Sequence, residues 1–369
     1  MEQDIKISII DHFSAMDDIR RKPLHQLSEI LTIVICAVIA GADSIVGVYK
    51  WSEQHENWLK KILTLPYGIP SHDTISRILS IMDPKEFEQA FVNWTNAVFQ
   101  KTKGDIIPID GKIVRGSYDK NSGVSAINVV GAYSTANKAL LGHVKTETKS
   151  NEITAIPELL SLLDINGCII TIDAIGCQTR IAADIVDKKG DYVLAVKDNQ
   201  PNLHKEIINK FQSDSNSEKD NYKTEEQNRE RYEIREYSVI DNIDKLNRIK
   251  DFKGCKAIGK VKSTRIINNE TSTESRYFIL SFKACASEFA NCVRSHWRIE
   301  NSVHWLLDVG FREDKSRIRK DNTPSNMSTI RRVALNMLKQ EKTEKVGIEN
   351  KRKIAGWNVN YLEKVLNIC

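Results

Sequence analysis

The chain has 369 residues, 41% hydrophobic and 28% charged, with a net charge of +5 and a pI near 8.6. That length suits two or three domains, and the balance excludes an intrinsically disordered chain. Mild basicity accords with a nucleic-acid partner without selecting one. The longest apolar run, ILTIVICAVIAG from Ile30, is too short to span a bilayer and reads as a buried helix. The start MEQDIK is no secretory leader, and seven scattered cysteines without a CxxC pair predict a reduced cytoplasmic protein without structural zinc.

Residues 1–103 read as helical. Pro23 opens one predicted helix with Leu24, Leu27, Leu31, Val34, Ile35 and Val38 on its apolar face, and a second runs from Val46 to Leu63. After the breakers Pro66, Gly68 and Pro70, Ser71 is a good cap for SHDTISRILSIM, and PKEFEQAFVNWTNAVFQ follows. Helix, tight turn and helix, with Ser71, His72, Thr74 and Arg77 at the second start, suit a DNA-reading unit. A helical bundle with a merely polar first turn fits equally.

From Ile106 the period changes. IIPID reads as a strand, SAINVVGAYST and ALLGHVKTE as a hairpin, NEITAIPELLSLLD as a helix capped by Asn151, and CIITIDAIG as a strand. A helix ending at Gly190 and the strand DYVLAV complete residues 104–200, a mixed sheet with helices packed on it. Residues 201–285 read as a β-rich insertion. Within it SDSNSEKDNYKTEEQNRER is a polar loop, and three alternating strands carry Lys256, Lys260, Lys262, Arg265 and Arg276, on a solvated face or a nucleic-acid surface. Residues 286–342 supply two helices, the last capped by Ser325, and 343–369 a tail.

Asp110 and Asp173 each end an apolar strand, which places two carboxylates at the carboxyl edge of a sheet, where open α/β sheets bind ligands. Paired carboxylates there suit two divalent cations acting on phosphorus. The third acid is expected from Glu300, with Asp308, Glu313 and Asp314 as competitors. His296, Glu300, His304 and Asp308 recur every four residues as a polar stripe opposite Ile299, Val303, Leu306 and Leu307. The two histidines suit a transition-metal site, contact with DNA phosphate, or support of Glu300. Lys112 and Arg115 are placed to hold backbone phosphates, Arg115 equally to be solvated. Lys197, Asn199 and Gln200 suit the cleaved strand or a polar turn. Trp297 and Trp305 suit base stacking or, more commonly, core packing.

IPIDGKIVRGS, TIDAIGCQTRIAADI, DYVLAVKDNQPNL and RSHWRIENSVHWLLDVGFREDKSRIR, in this order, resemble the insertion-sequence transposases that include the H-repeat-associated proteins. The resemblance covers nearly the whole chain. It implies a ribonuclease-H-like mixed sheet with flanking helices, a β-rich insertion and a helical N-terminal domain. It also implies a DDE triad of Asp110, Asp173 and Glu300 holding two Mg²⁺ or Mn²⁺ ions. The expected activity is cleavage at element ends and strand transfer on double-stranded DNA, by a homodimer on bacterial nucleoid DNA, with no membrane role. A DNA-binding relic without chemistry and a structure-specific nuclease are the alternatives. The Tyr, Arg and Lys that often accompany the Glu in the broader class are Val293, His296 and Leu307 here.

Overall fold

The computed structural model describes residues 9–100, 102–118, 123, 125–146, 152–213 and 219–366. The predicted cap Asn151 lies outside them. Nine strands form one mixed sheet: β1 (Ile106–Ile113), β2 (Asn128–Ser134), β3 (Ala139–Lys145), β4 (Ile169–Ile172), β5 (Asp191–Val196), β6 (Asp220–Asn228), β7 (Arg231–Ile240), β8 (Ala257–Ile267) and β9 (Glu270–Leu280). Their order is β3-β2-β1-β4-β5-β9-β8-β7-β6. β1 is antiparallel to β2 and parallel to β4, and β4 is parallel to β5. The apolar runs of β1, β4 and β5 are buried on both faces, as strands covered by helices on two sides must be.

The β-rich segment is no separate sheet. Its last strand, β9, pairs antiparallel with β5 through Val193↔Leu280 to Val196↔Tyr277. Without β9 the edge of β5 would leave backbone donors and acceptors unpaired. Two expectations are corrected here. Pro201–Ser213 is a helix, with Leu203, Ile207 and Phe211 buried at helical spacing. The charged stretch expected to be a loop contains β6, paired along its length with β7. Its side chains are almost all exposed, so its polarity marks a protected sheet edge.

The helical ends of the chain share a core. Helix Leu27–Ile39 is buried along its whole length. It packs on helix Thr323–Gln340, itself buried from Thr323 to Leu338. The same core takes in Ile299, Val303 and Leu307 and residues of the last two helices, Ile348–Trp357 and Val359–Leu366. The expected tail is therefore a packed element. Arg352, on its first helix, donates to the carbonyls of Val38 and Gly310 and to Asp43.

Helix boundaries differ in detail. The first long helix starts at Leu27, leaving Leu24 exposed, and the second breaks at His55 into Ile45–Gln54 and Glu56–Ile62. Ser71 caps helix His72–Ile81 as expected, accepting from the Thr74 amide at 3.2 Å. Ser325 lies inside its helix, which begins at Thr323 with Pro324 in the first turn. After helix Thr179–Asp187 the left-handed residue is Lys189, φ 61°, one place before Gly190.

Candidate active site

β1 and β4 run parallel in register, Ile109 opposite Ile172, so the next residues of both strands, Asp110 and Asp173, emerge side by side. Adjacent strands lie about 4.8 Å apart, which fixes the scale of their separation. Each carboxylate accepts from a nearby backbone amide, Asp110 within β1 and Asp173 at the turn that follows β4. The Gly111 amide donates to Asp110 at 2.9 Å, and the Ile175 amide donates to Asp173 at 3.1 Å. The turn after Asp173 is braced from the end of β5. Asn199 donates to the Ala174 carbonyl at 2.5 Å and Gln200 to the Cys177 carbonyl at 3.0 Å. These two side chains thus hold the loop bearing Asp173.

The third acid arrives on a helix that changes pitch. Helix Ala286–His296 packs on β1, β4, β6 and β7, and Glu300–His304 form a π turn leading into helix Trp305–Gly310. Wide turns of this kind re-aim side chains and free carbonyls. Lys339 donates to the Ser302 carbonyl within this turn at 3.1 Å. The turn sets His304 between two acids: its Nδ1 is 3.3 Å from Glu300 Oε2 and 3.7 Å from Asp110 Oδ2.

Electrostatics follow from this crowding. Burial pushes the Asp110 carboxyl up to about 7, with Glu300 and Asp173 adding to the shift against the opposing His304. Hydrogen bonding to His304 holds Glu300 below the usual carboxylate range. Burial lowers His296, whose Nδ1 lies 3.1 Å from Thr171 Oγ1. The predicted histidine pair is thus split: His304 joins the acids, and His296 abuts β4.

The competitors of Glu300 are occupied elsewhere. Lys112 is buried, and its Nζ lies 2.7 Å from Asp308 and 3.4 Å from Asp314, so the ammonium expected on a phosphate is held inside the protein. Glu313 has no exposed surface and meets Arg332 at 3.2 Å and Arg331 at 3.7 Å. The Lys112–Asp308 bridge ties the strand of Asp110 to the helix that follows Glu300. Arg115 remains exposed, 3.6 Å from Asp314.

Beneath this network the turn Arg115–Ser117 lies against the turn Glu313–Lys315. A Cβ on Gly116 would sit 2.2 Å from the Ser316 carbonyl oxygen, which is backbone and has little freedom to yield. Gly116→Ala is expected to cost about 1–3 kcal/mol in a denaturant titration. An unchanged midpoint would mean that the two turns separate freely.

Beside the acids lies a basic groove of about 470 Å³ between β7–β9 and the π-turn helix, lined by Arg231, Arg235, Arg265, Arg276, Arg294 and Arg298. Buried Glu233 ties Arg231, Arg235 and Arg265 together, and Arg276 lies over the Trp297 ring at 5.1 Å. A smaller cavity of about 160 Å³ shares Arg276 and Trp297 with the groove and reaches Thr171, Asp173, Lys197 and His296. Trp297 and Trp305 are about half exposed, against the commoner expectation of core packing. Lys260 and Lys262 line a different cavity. Cross-strand register groups the arginines: Glu233 of β7 faces Arg265 of β8. Arg231, Arg235, Arg294 and Arg298 were not singled out from the sequence; the alternation of 231, 233 and 235 was the available signal.

Comparison with known proteins decides the family. The family model described as "Transposase DDE domain" matches residues 101–337, and that described as "DDE_Tnp_1-associated" matches residues 10–95. The chain belongs to the DDE transposases. "Putative transposase YncI" of Escherichia coli O157:H7 is 44% identical, covering 98% of this chain and 95% of its own. "H repeat-associated putative transposase YhhI" of Escherichia coli K12 is 41% identical over 97% of each chain. The solved piggyBac transposase synaptic complex with hairpin DNA aligns at a TM-score of 0.40 and 10% identity, covering 96% of this chain and 78% of that one.

Membership implies a DNA-cleaving enzyme that uses divalent metal, and the donor set fits one. One ligand atom each from Asp110, Glu300 and His304 lies within 4.8 Å of the others. Asp173 stands on the adjoining strand, outside that compact set. In this transposase Ser71, His72 and Arg77 are exposed and Thr74 is half-buried, so the first turn of their helix is open to solvent apart from its own caps. Lys197 and Asn199 are exposed at the carboxyl end of β5. Among the described residues no helix is long and apolar enough to cross a membrane.

Proposed function

We propose that this transposase cuts DNA at the ends of its element and joins the freed 3′ ends to target DNA, with Asp110, Asp173 and Glu300 as the catalytic acids. The observation that carries the reading is that Asp110, inside β1 where its pairing with β4 ends, and Asp173, just past the end of β4, stand on adjoining strands, with a third acid brought to Asp110 by the π turn. The first five strands, antiparallel across β3-β2-β1 and parallel across β1-β4-β5, support a ribonuclease-H-like core. Asp110, between the other two acids, would be shared by two Mg²⁺ or Mn²⁺ ions, with Asp173 and Glu300 completing one site each. Two such ions supply an activated nucleophile and a stabilised leaving oxygen for in-line displacement at phosphorus.

The chain's own groups do the rest. Asn199 and Gln200 keep the Asp173 turn in place, and the Lys112–Asp308 bridge limits how far Glu300 drifts from Asp110. The arginine groove and Lys197 offer the backbone a path to the acids. The helix start at Ser71, His72, Thr74 and Arg77 offers a second DNA contact, with Arg115 a third. Joining two ends in one event calls for a homodimer on the DNA, and the substrate would be bacterial nucleoid DNA.

The test is an assay with Mn²⁺ or Mg²⁺ and linear DNA carrying the element's terminal inverted repeats. Nicking at the 3′ ends followed by joining is expected. Specific binding without cleavage would mark a relic, and cutting without end preference or joining would mark a nuclease. Affinity should also fall roughly a thousandfold from about 50 to about 200 mM salt if about six phosphates are contacted. A flat salt response would remove the arginine groove as a DNA path.

A further inference from the structure

His304 is more than a neighbour of the acids. The residue is 7% exposed, and its Nδ1 faces both Asp110 and Glu300. The 3.3 Å approach to Glu300 is long for a charge-assisted hydrogen bond, and the 3.7 Å approach to Asp110 is beyond one. Neighbouring ligands around a small octahedral cation at about 2.1 Å stand about 3 Å apart. The Glu300 approach exceeds that spacing by a few tenths of an ångström and the Asp110 approach by about 0.7 Å, and all three donor atoms lie within 4.8 Å of one another, so a modest closing makes them ligands of one ion. The other candidate ring, His296, has its Nδ1 occupied by Thr171 Oγ1.

We propose that His304 is itself a metal ligand: one ion is held by Asp110, Glu300 and His304, and the second by Asp110 and Asp173. Residues 300 and 304, four apart on one face of the π turn, present their side chains together. The proposal rests on reading Asp110 and Glu300 as metal-holding residues, but not on strand transfer. A nitrogen donor alters ion preference. Imidazole favours first-row transition ions, whereas Mg²⁺ prefers oxygen. The site should therefore take Mn²⁺ more tightly than Mg²⁺, by more than three carboxylates alone would give.

Pulsed electron paramagnetic resonance on the full-length protein with one equivalent of Mn²⁺ reads the ligand directly. Modulation from a histidine ¹⁴N is expected, replaced by the ¹⁵N pattern when histidine is labelled. His304→Gln should abolish it and weaken Mn²⁺ binding in calorimetry by more than the roughly tenfold typical of losing a residue that only supports a ligand, with Mg²⁺ affinity changing less than about threefold. His296→Gln should leave the signal intact. The labelling needs no substitution, so a misfolded variant does not blunt the test. Bound Mn²⁺ without nitrogen coupling, or coupling that survives His304→Gln in a folded protein, overturns the proposal while leaving the acids as ligands. Failure of the unmodified protein to bind Mn²⁺, or binding indifferent to Asp110→Asn and Glu300→Gln, overturns the metal reading of the acids as well.

Discussion

Asp110→Asn is expected to lower DNA cleavage by roughly a thousandfold or more while making the metal-free protein more stable above pH 7. The loss follows from the geometry. Asp110 is the acid that both Asp173 and Glu300 adjoin, and a shared ligand supports several kcal/mol of charge stabilisation in the displacement, about a decade of rate for each 1.4 kcal/mol. Asp173→Asn and Glu300→Gln should be comparably inactive, and all three should still bind the DNA ends. A variant that cleaves normally loses its place among the catalytic acids.

The gain in stability follows from the same crowding. Burial, Glu300 and Asp173 raise the Asp110 carboxyl from 3.8 to about 7. Between those values the folded protein keeps a proton that the unfolded chain has released. Stability therefore falls as pH rises through this window, and the penalty is complete above about pH 7. Asparagine carries no such penalty. Denaturant titrations in EDTA should give the variant an advantage on the order of 4 kcal/mol at pH 8 that vanishes near pH 4. Equal stability at pH 8 would mean that the acids are not crowded when the metal is absent.

Glu313→Gln is expected to destabilise the protein by about 3–5 kcal/mol, the cost of leaving buried charge uncompensated. Burial alone would raise the Glu313 carboxyl, but Arg332, Arg331 and Lys112 outweigh it and hold the group below its ordinary range. The substitution keeps the shape and removes the anion from among three buried cations. The sign with pH is opposite to that at Asp110. A depressed carboxyl contributes stability above the unfolded value of 4.5, and loses it as pH falls through the folded value. The unmodified protein should therefore lose its advantage over the variant in acid. A urea midpoint shifted by less than about 1 kcal/mol would show that the arginines find other partners.

What could be read from the chain and what could not divide along physical lines. Apolar runs ending in Asp110 and Asp173 announced buried strands with carboxylates at one edge, because burial on both faces demands unbroken β-branched residues. Ser71 was legible as a cap because capping is local. β6 was not legible. An exposed edge strand and a loop share the same polar composition, and only the length of β7 across from it tells them apart. The packed tail was also hidden, since its stability comes from contacts of Arg352 with residues some 300 positions earlier.

By itself the sequence determined the family, the mixed α/β character and the two aspartates that close apolar strand runs, though β1 runs on three residues past Asp110; these depend on motif order and on periodicities of a few residues. Only the tertiary structure decided which charges face one another. It turned Lys112 from a phosphate ligand into a partner of Asp308, separated His296 from His304, and gathered arginines from three strands and a helix along one groove. The reason is that a charge's role is set by what lies within a few ångströms of it. In a nine-stranded sheet flanked by helices those neighbours come from distant positions in the chain.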